Sequence, residues 1–159
     1  MDEINLKLPA KPEYVSVARL TTAAIANRLG FSIDDIEDLK VAVSEAGIYL
    51  INQFAEISFL TVDYRIHDDR SITAHVKALD GKGSKDSMEK ENELSLFIIE
   101  SVADKVTRDT DQGIIRGFSI YKQVGAVLNE RKYRNPEEGG TGRPAAGRIL
   151  QDPGYQPSQ

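Results

Sequence analysis

SIDDIEDLKVAVSEAGIYLINQF, residues Ser32 to Phe54, carries the period of one long amphipathic helix. Ser32 stands where an N-cap belongs, Asp35 follows three residues later, and acidic residues crowd the first turn, where the positive end of the helix favours them. Ile36, Leu39, Val43, Ala46 or Gly47, Leu50 and Phe54 recur at steps of three and four, which draws an apolar stripe that must face a core. A second line, Asp38, Ala42, Glu45, Tyr49 and Asn52, runs down a neighbouring face. Glu45 and Tyr49 therefore point the same way, one turn apart.

Working outward, Glu3 to Leu8 alternates apolar and polar residues and reads as a half-buried strand that Pro9 ends. A first helix is expected from Pro12 to Leu29, with Pro12 in its first turn and Gly30 as its stop. Val17, Leu20, Ala24 and Leu29 are expected to form its core face, with Arg19 on another side. Downstream, Ile57 to His67 and Ser71 to Ala78 are rich in β-formers and joined by Asp68, Asp69 and Arg70, a hairpin. Asp80 to Glu93 is polar, contains glycine and lacks a period, as an exposed loop would. A helix from Leu94 to about Asp104 and a second hairpin, Lys105 to Thr110 with Gly113 to Lys122, complete the order β-α-α-β-β-α-β-β. These stripes are buried most simply in an α+β two-layer α/β sandwich, helices on one face of a mostly antiparallel sheet.

EDLKVAVSEA and the upstream run LPAKPEYVSVARLTTAAIANRLGF, Leu8 to Phe31, resemble anti-sigma factor serine kinases of the RsbW and SpoIIAB type. The resemblance runs from about Ile4 to about Val124. It implies the histidine-kinase-type ATPase-like fold shared with gyrase and MutL, in which a nucleotide lies between helices and sheet. It also implies a sigma factor or an anti-anti-sigma protein as partner, a homodimer as a common state, and a partner-binding role for Arg19 in the run SVARLT. For a working kinase it implies Glu45 as the catalytic base, with ATP and magnesium as cofactors.

Several positions depart from the family's nucleotide boxes. The asparagine expected to ligate Mg²⁺ four residues after Glu45 is Tyr49, whose neutral phenol is a poor ligand for a hard cation. The Asp-x-Gly that contacts adenine matches Ala78-Leu79-Asp80-Gly81, with Leu79 on the aspartate, so Asp80 and Gly81 remain weak nucleotide-binding candidates. The Gly-x-Gly that cradles phosphate matches Glu93-Leu94-Ser95-Leu96, where side chains stand in place of both glycines and Glu91 and Glu93 add negative charge. The threonine expected after Gly113 is replaced by Ile114 and Ile115. Two functions follow: a regulatory module that binds a sigma factor or an anti-anti-sigma protein without using ATP, and an active ATP-dependent serine kinase that phosphorylates its antagonist.

The 159 residues suffice for one domain, expected over residues 1–128, with a Gly- and Pro-rich tail, 129–159, expected to be disordered. A net charge of -5 and a pI near 5.1 argue against a nucleic-acid binder. Cysteine is absent, which removes thiolate metal sites and a cysteine nucleophile. His67 and His75 lack partners at ligand spacing, so no metal site is expected. No signal peptide or run of membrane-spanning length is seen, and a cytoplasmic location is expected.

Overall fold

The computed structural model describes residues 1–85 and 89–125. The order is β1 (Asp2–Pro9), α1 (Pro12–Leu29), α2 (Ile33–Gln53), β2 (Phe59–Ile66), β3 (Ser71–Ala78), α3 (Glu89–Val102), β4 (Lys105–Asp111) and β5 (Ile114–Gln123). The strands form one sheet in the order β1-β2-β3-β5-β4, with every neighbouring pair antiparallel. The helices lie against one face of it, which makes the α+β sandwich expected from the sequence. The tail expected from residue 129 onward lies outside the described residues.

Local chemistry sets the boundaries of the elements. Ser32 caps α2: its Oγ accepts from the Asp35 amide at 3.1 Å and donates to Asp35 Oδ2 at 2.8 Å. Gly30 ends α1 in the left-handed region at φ 82°, a conformation that glycine adopts without steric cost. The Arg70 guanidinium, from the β2–β3 turn, then donates to the Leu29 carbonyl through Nε and Nη2. One arginine thus satisfies an orphan carbonyl at the helix end and ties that end to the hairpin.

Leu39, Val43, Ala46, Gly47, Leu50 and Phe54 of the α2 stripe are buried, and Ile36 packs at the margin. They meet Leu60, Val62 and Tyr64 of β2, Ile72, Ala74 and Val76 of β3, and Phe118 and Ile120 of β5. Tyr64 and Thr22 place their hydroxyls 2.8 Å apart and share the Ala18 carbonyl, so α1 is held to β2 by a buried polar contact. Burial pushes the Tyr64 phenol up to about 12, against a smaller opposing effect of the Thr22 bond.

Two expectations are corrected. The core face of α1 is Val15, Ala18, Thr22, Ile25 and Ala26; Val17, Leu20 and Ala24 are exposed and Leu29 only partly buried. Both stripes have helical spacing, and the buried one is the one whose small residues allow the backbone of α1 to approach its neighbours. The second concerns α3, which starts at Glu89 rather than Leu94. Glu and Lys are good helix formers, and without glycine between 84 and 112 nothing in that run stops the helix early.

Lys122 continues the inward-facing line of Phe118 and Ile120, and its side chain is 1% exposed. Its Nζ lies 3.2 Å from Asp35, 3.6 Å from Asp104 and 3.7 Å from Asp38, and donates to the Val102 carbonyl at 3.1 Å. A lysine this deep is tolerated because carboxylates surround it. It binds the start of α2, the end of α3 and β5 into one knot. Lys122→Ala is expected to cost about 3 kcal/mol in urea denaturation, the lower end of what is lost when a buried ion pair is broken, because the aspartates it leaves behind are partly solvated.

Candidate functional site

The site the sequence points to lies along the α2 line of Asp38, Ala42, Glu45 and Tyr49, on the side that meets α3. At its centre Ser95 Oγ donates to Glu45 Oε2 at 2.7 Å. Ser95 is buried and Glu45 half-buried, so this charge-assisted bond forms largely out of water, where it is stronger than at the surface. The carboxylate that a hydroxyl substrate would need is thereby engaged by the protein's own serine.

One turn further along, Tyr49 is 6% exposed, with its ring edge-on to Phe118 of β5 at a centroid distance of 5.2 Å and an interplanar angle of 90°. That geometry is a favourable aromatic pairing. Burial raises the Tyr49 phenol above its ordinary range, with the positive Arg108 acting in the opposite sense, so at neutral pH it remains a neutral space-filling side chain. Arg108 itself pairs with Glu100 of α3.

Glu93-Leu94-Ser95-Leu96 lies inside α3 rather than at its mouth, because the helix extends back to Glu89. Glu91, Glu93 and Leu94 are exposed, Leu96 is half-buried, and Ser95 faces α2. The amides of this segment fall within a continuing helix, where they serve the helix's own bonds rather than a phosphate.

Asp80 and Gly81 are brought to the strand end opposite the C-terminus of α2. Asp80 Oδ1 accepts from the Ser58 and Phe59 amides at 3.0 Å each. Hydrogen bonds from Ser58 and then Phe59 hold the exposed Asp80 carboxyl below the usual carboxylate range. Gly81 is buried, and a Cβ there would sit 2.5 Å from the Phe54 ring. Its carbonyl accepts from Arg116 Nη1 at 3.2 Å, and the Arg116 guanidinium lies 5.2 Å from the Phe54 ring centre. The missing side chain at 81 makes room for Phe54.

Arg19 lies apart from these residues, on α1, with Nη2 4.0 Å from Glu37 Oε2 and both side chains about half-exposed. Tyr14, Val17 and Leu20, at spacings of three on the same helix, are exposed, Leu20 to 69%. Among the described residues no group of three His, Cys, Asp or Glu is placed to hold a metal ion, and no helix is long and apolar enough to cross a membrane. Lys122 is the polar group that sequence reasoning missed. Its parity with Phe118 and Ile120 was the available signal.

Comparison with known proteins matches residues 8–116 to the histidine kinase-like ATPase domain. The chain is 32% identical over 143 residues to the serine-protein kinase RsbW of Halalkalibacterium halodurans, covering 80% of this chain and 88% of that protein. It is 39% identical over 137 residues to the RsbW of Oceanobacillus iheyensis, covering 76% and 87%. It is 38% identical over 133 residues to that of Listeria innocua, covering 71% and 83%.

ATP and Mg²⁺, the ligands such a domain implies, do not fit the residues present. Mg²⁺ demands hard oxygen donors in near-octahedral geometry, and a phenol packed edge-on to Phe118 is not one. A triphosphate needs close approach of backbone amides, and that position holds a serine bonded to Glu45. Tyr49→Ala is expected to destabilise the fold by about 3 to 5 kcal/mol, as truncation of a buried aromatic does. Chemical denaturation checks it, and a loss below about 0.5 kcal/mol, the range of an exposed side chain, would contradict the packing described.

Proposed function

This chain belongs to the histidine kinase-like ATPase domain family, and from that premise we propose that it is an anti-sigma-factor-like regulatory protein of the cytoplasm. It holds a sigma factor or an anti-anti-sigma protein and does so without binding or hydrolysing ATP. The observation that carries this is the Ser95–Glu45 bond at 2.7 Å. It joins the residue at the phosphate-cradle position to the residue at the base position, across the gap a nucleotide would occupy. Fold alone leaves function open; the residues at the site decide it.

An ATP-dependent serine kinase acting on an anti-anti-sigma antagonist would keep Glu45 as its base, as the names of the relatives invite. It would also need ATP, magnesium, a metal ligand in place of Tyr49 and a phosphate cradle in place of Glu93 to Leu96. Glu45 supplies none of these.

The partner surface is assigned to α1. Arg19 is retained in the setting SVARLT, its weak pairing to Glu37 leaves the guanidinium free to be recruited, and the exposed Tyr14, Val17 and Leu20 lend apolar area nearby. Arginine offers five donors in a planar fork and is enriched at binding hot spots. Arg19→Ala should leave the melting curve within about 0.5 kcal/mol of the parent. It should weaken binding to the co-purified partner by about 2 kcal/mol or more. The parent titration is run in nucleotide-free buffer with a chelator. Loss of parent binding under those conditions would contradict an ATP-independent module, and unchanged affinity of the folded variant would remove Arg19 from the interface.

A further inference from the structure

We propose that the groove between the last turns of α1 and the ends of β1 and β2 is a binding site for a free apolar α-amino acid of about leucine size. The groove has a volume of about 270 Å³ and is lined by Asp2, Ile4, Ile25, Arg28, Leu29 and Ile66. It begins where the inward-facing residues of α1 change in size. Ala18 and Thr22 bring the helix close against Tyr64, whose hydroxyl bonds the Ala18 carbonyl at 2.9 Å and lies 2.8 Å from Thr22 Oγ1. Further along, the same stripe carries the larger Ile25 and Leu29, and the groove lies between these and Ile4 of β1 and Ile66 of β2.

The lining divides into an apolar floor and a charged rim. Ile25 is 6% exposed and Leu29 and Ile66 are half-buried, while Ile4, at 37%, stands at the mouth. Side chains alternate along β1, so Asp2 and Ile4 share the side of the sheet that Leu6 and Leu8 turn toward the helices. Asp2 therefore brings a carboxylate to the rim from the strand, and Arg28 brings a guanidinium from the helix. Both are exposed, and among the described residues neither makes an ion pair or a side-chain hydrogen bond, with each other or with any third group. Arg28 is not needed at the helix end either, because Arg70 already donates to the Leu29 carbonyl.

Opposite charges that share one small groove without touching are bridged best by a zwitterion. An α-carboxylate takes the Arg28 fork, an α-ammonium takes Asp2, and a branched alkyl side chain lies on the isoleucines and Leu29. An apolar lining with a few polar groups that fix orientation is the usual composition of a small-molecule site. Tyr64 and Arg70 hold α1 at either side of the groove, which fixes its walls before a ligand arrives. The hollows on the open face of the sheet differ. One is walled by the hydroxyls of Thr73, Thr107 and Ser119, and in another Glu3 is already paired with Arg65 and Asn5 with Asp63.

Isothermal titration of the full chain with L-leucine up to millimolar concentration, with amide-resolved NMR to locate the contact, tests the site. Saturable binding is expected, with movement of the Ile4, Ile25, Leu29 and Ile66 resonances. 4-Methylpentanoate, which lacks the ammonium, and 3-methylbutylamine, which lacks the carboxylate, should each bind about tenfold more weakly or worse. Asp2→Asn and Arg28→Gln should each weaken leucine binding about tenfold or more and keep the parent's melting temperature, since both side chains are exposed. The losses should be selective: Arg28→Gln should bind 3-methylbutylamine at least as well as the parent does, and Asp2→Asn should do the same for 4-methylpentanoate. No saturable leucine binding, equal affinity for leucine and either truncated analogue, or unchanged leucine affinity in either charge variant would each overturn the proposal.

Discussion

Helix α2 is fastened to the sheet, to α1 and to α3 along most of its length, and the rest of the molecule is arranged around those contacts. Its broad apolar stripe is sealed by the sheet and by α1. Its second line meets α3, fastened at the N-terminal end by Lys122 with Asp35, Asp38 and Asp104, and two turns on by Ser95 and Glu45. Tyr49 on Phe118 fills the space beyond. A domain that took nucleotide between α2 and α3 would have to part these contacts. The buried ammonium and the carboxylate–hydroxyl bond oppose that separation, since each leaves a charged group without its partner.

The residues that depart from the family's nucleotide boxes also build contacts between α2 and α3. Glycine at a phosphate cradle keeps backbone amides accessible and breaks the helix that follows. Glutamate and serine at 93 and 95 let α3 run back to Glu89 and turn the Ser95 hydroxyl onto Glu45. Likewise, an asparagine would leave a polar amide beside Phe118, whereas Tyr49 supplies a ring that packs there. The family's fold persists because it rests on the stripes of α2 and the alternation of the strands, which these exchanges do not touch.

Much of this was legible in the residues. Ser32 marks the start of α2 through a capping bond that the structure contains, and Gly30 and the β2–β3 turn fall where their residue types place them. The side of α1 was not legible, because Tyr14, Val17 and Leu20 have the same helical spacing as Val15, Ala18, Thr22 and Ile25. Only the neighbouring Tyr64 and the close approach that Ala18 and Ala26 permit select the second set. The start of α3 was hidden by a run of charged and polar residues, which carries no apolar period. Lys122 was hidden by its type, since lysine at a buried parity is explained only by carboxylates distant in the chain, two on α2 and one after α3. The replacement residues at 49, 93 and 95 could be read as losses, but the bond between Ser95 and Glu45 depends on how the two helices meet.

The most direct measurement is an amide-resolved NMR titration of the full chain with magnesium and ATP at millimolar concentration, following Glu45, Tyr49, Ser95 and Ile99, with a thermal melt of the same samples. The account predicts that these resonances stay in place and that the melting temperature does not rise. A saturable movement of the Glu45 and Ser95 resonances, with the stabilisation of about 2.7 kcal/mol that a ligand at a hundred times its Kd confers, would show that α2 and α3 part to admit nucleotide and would contradict it.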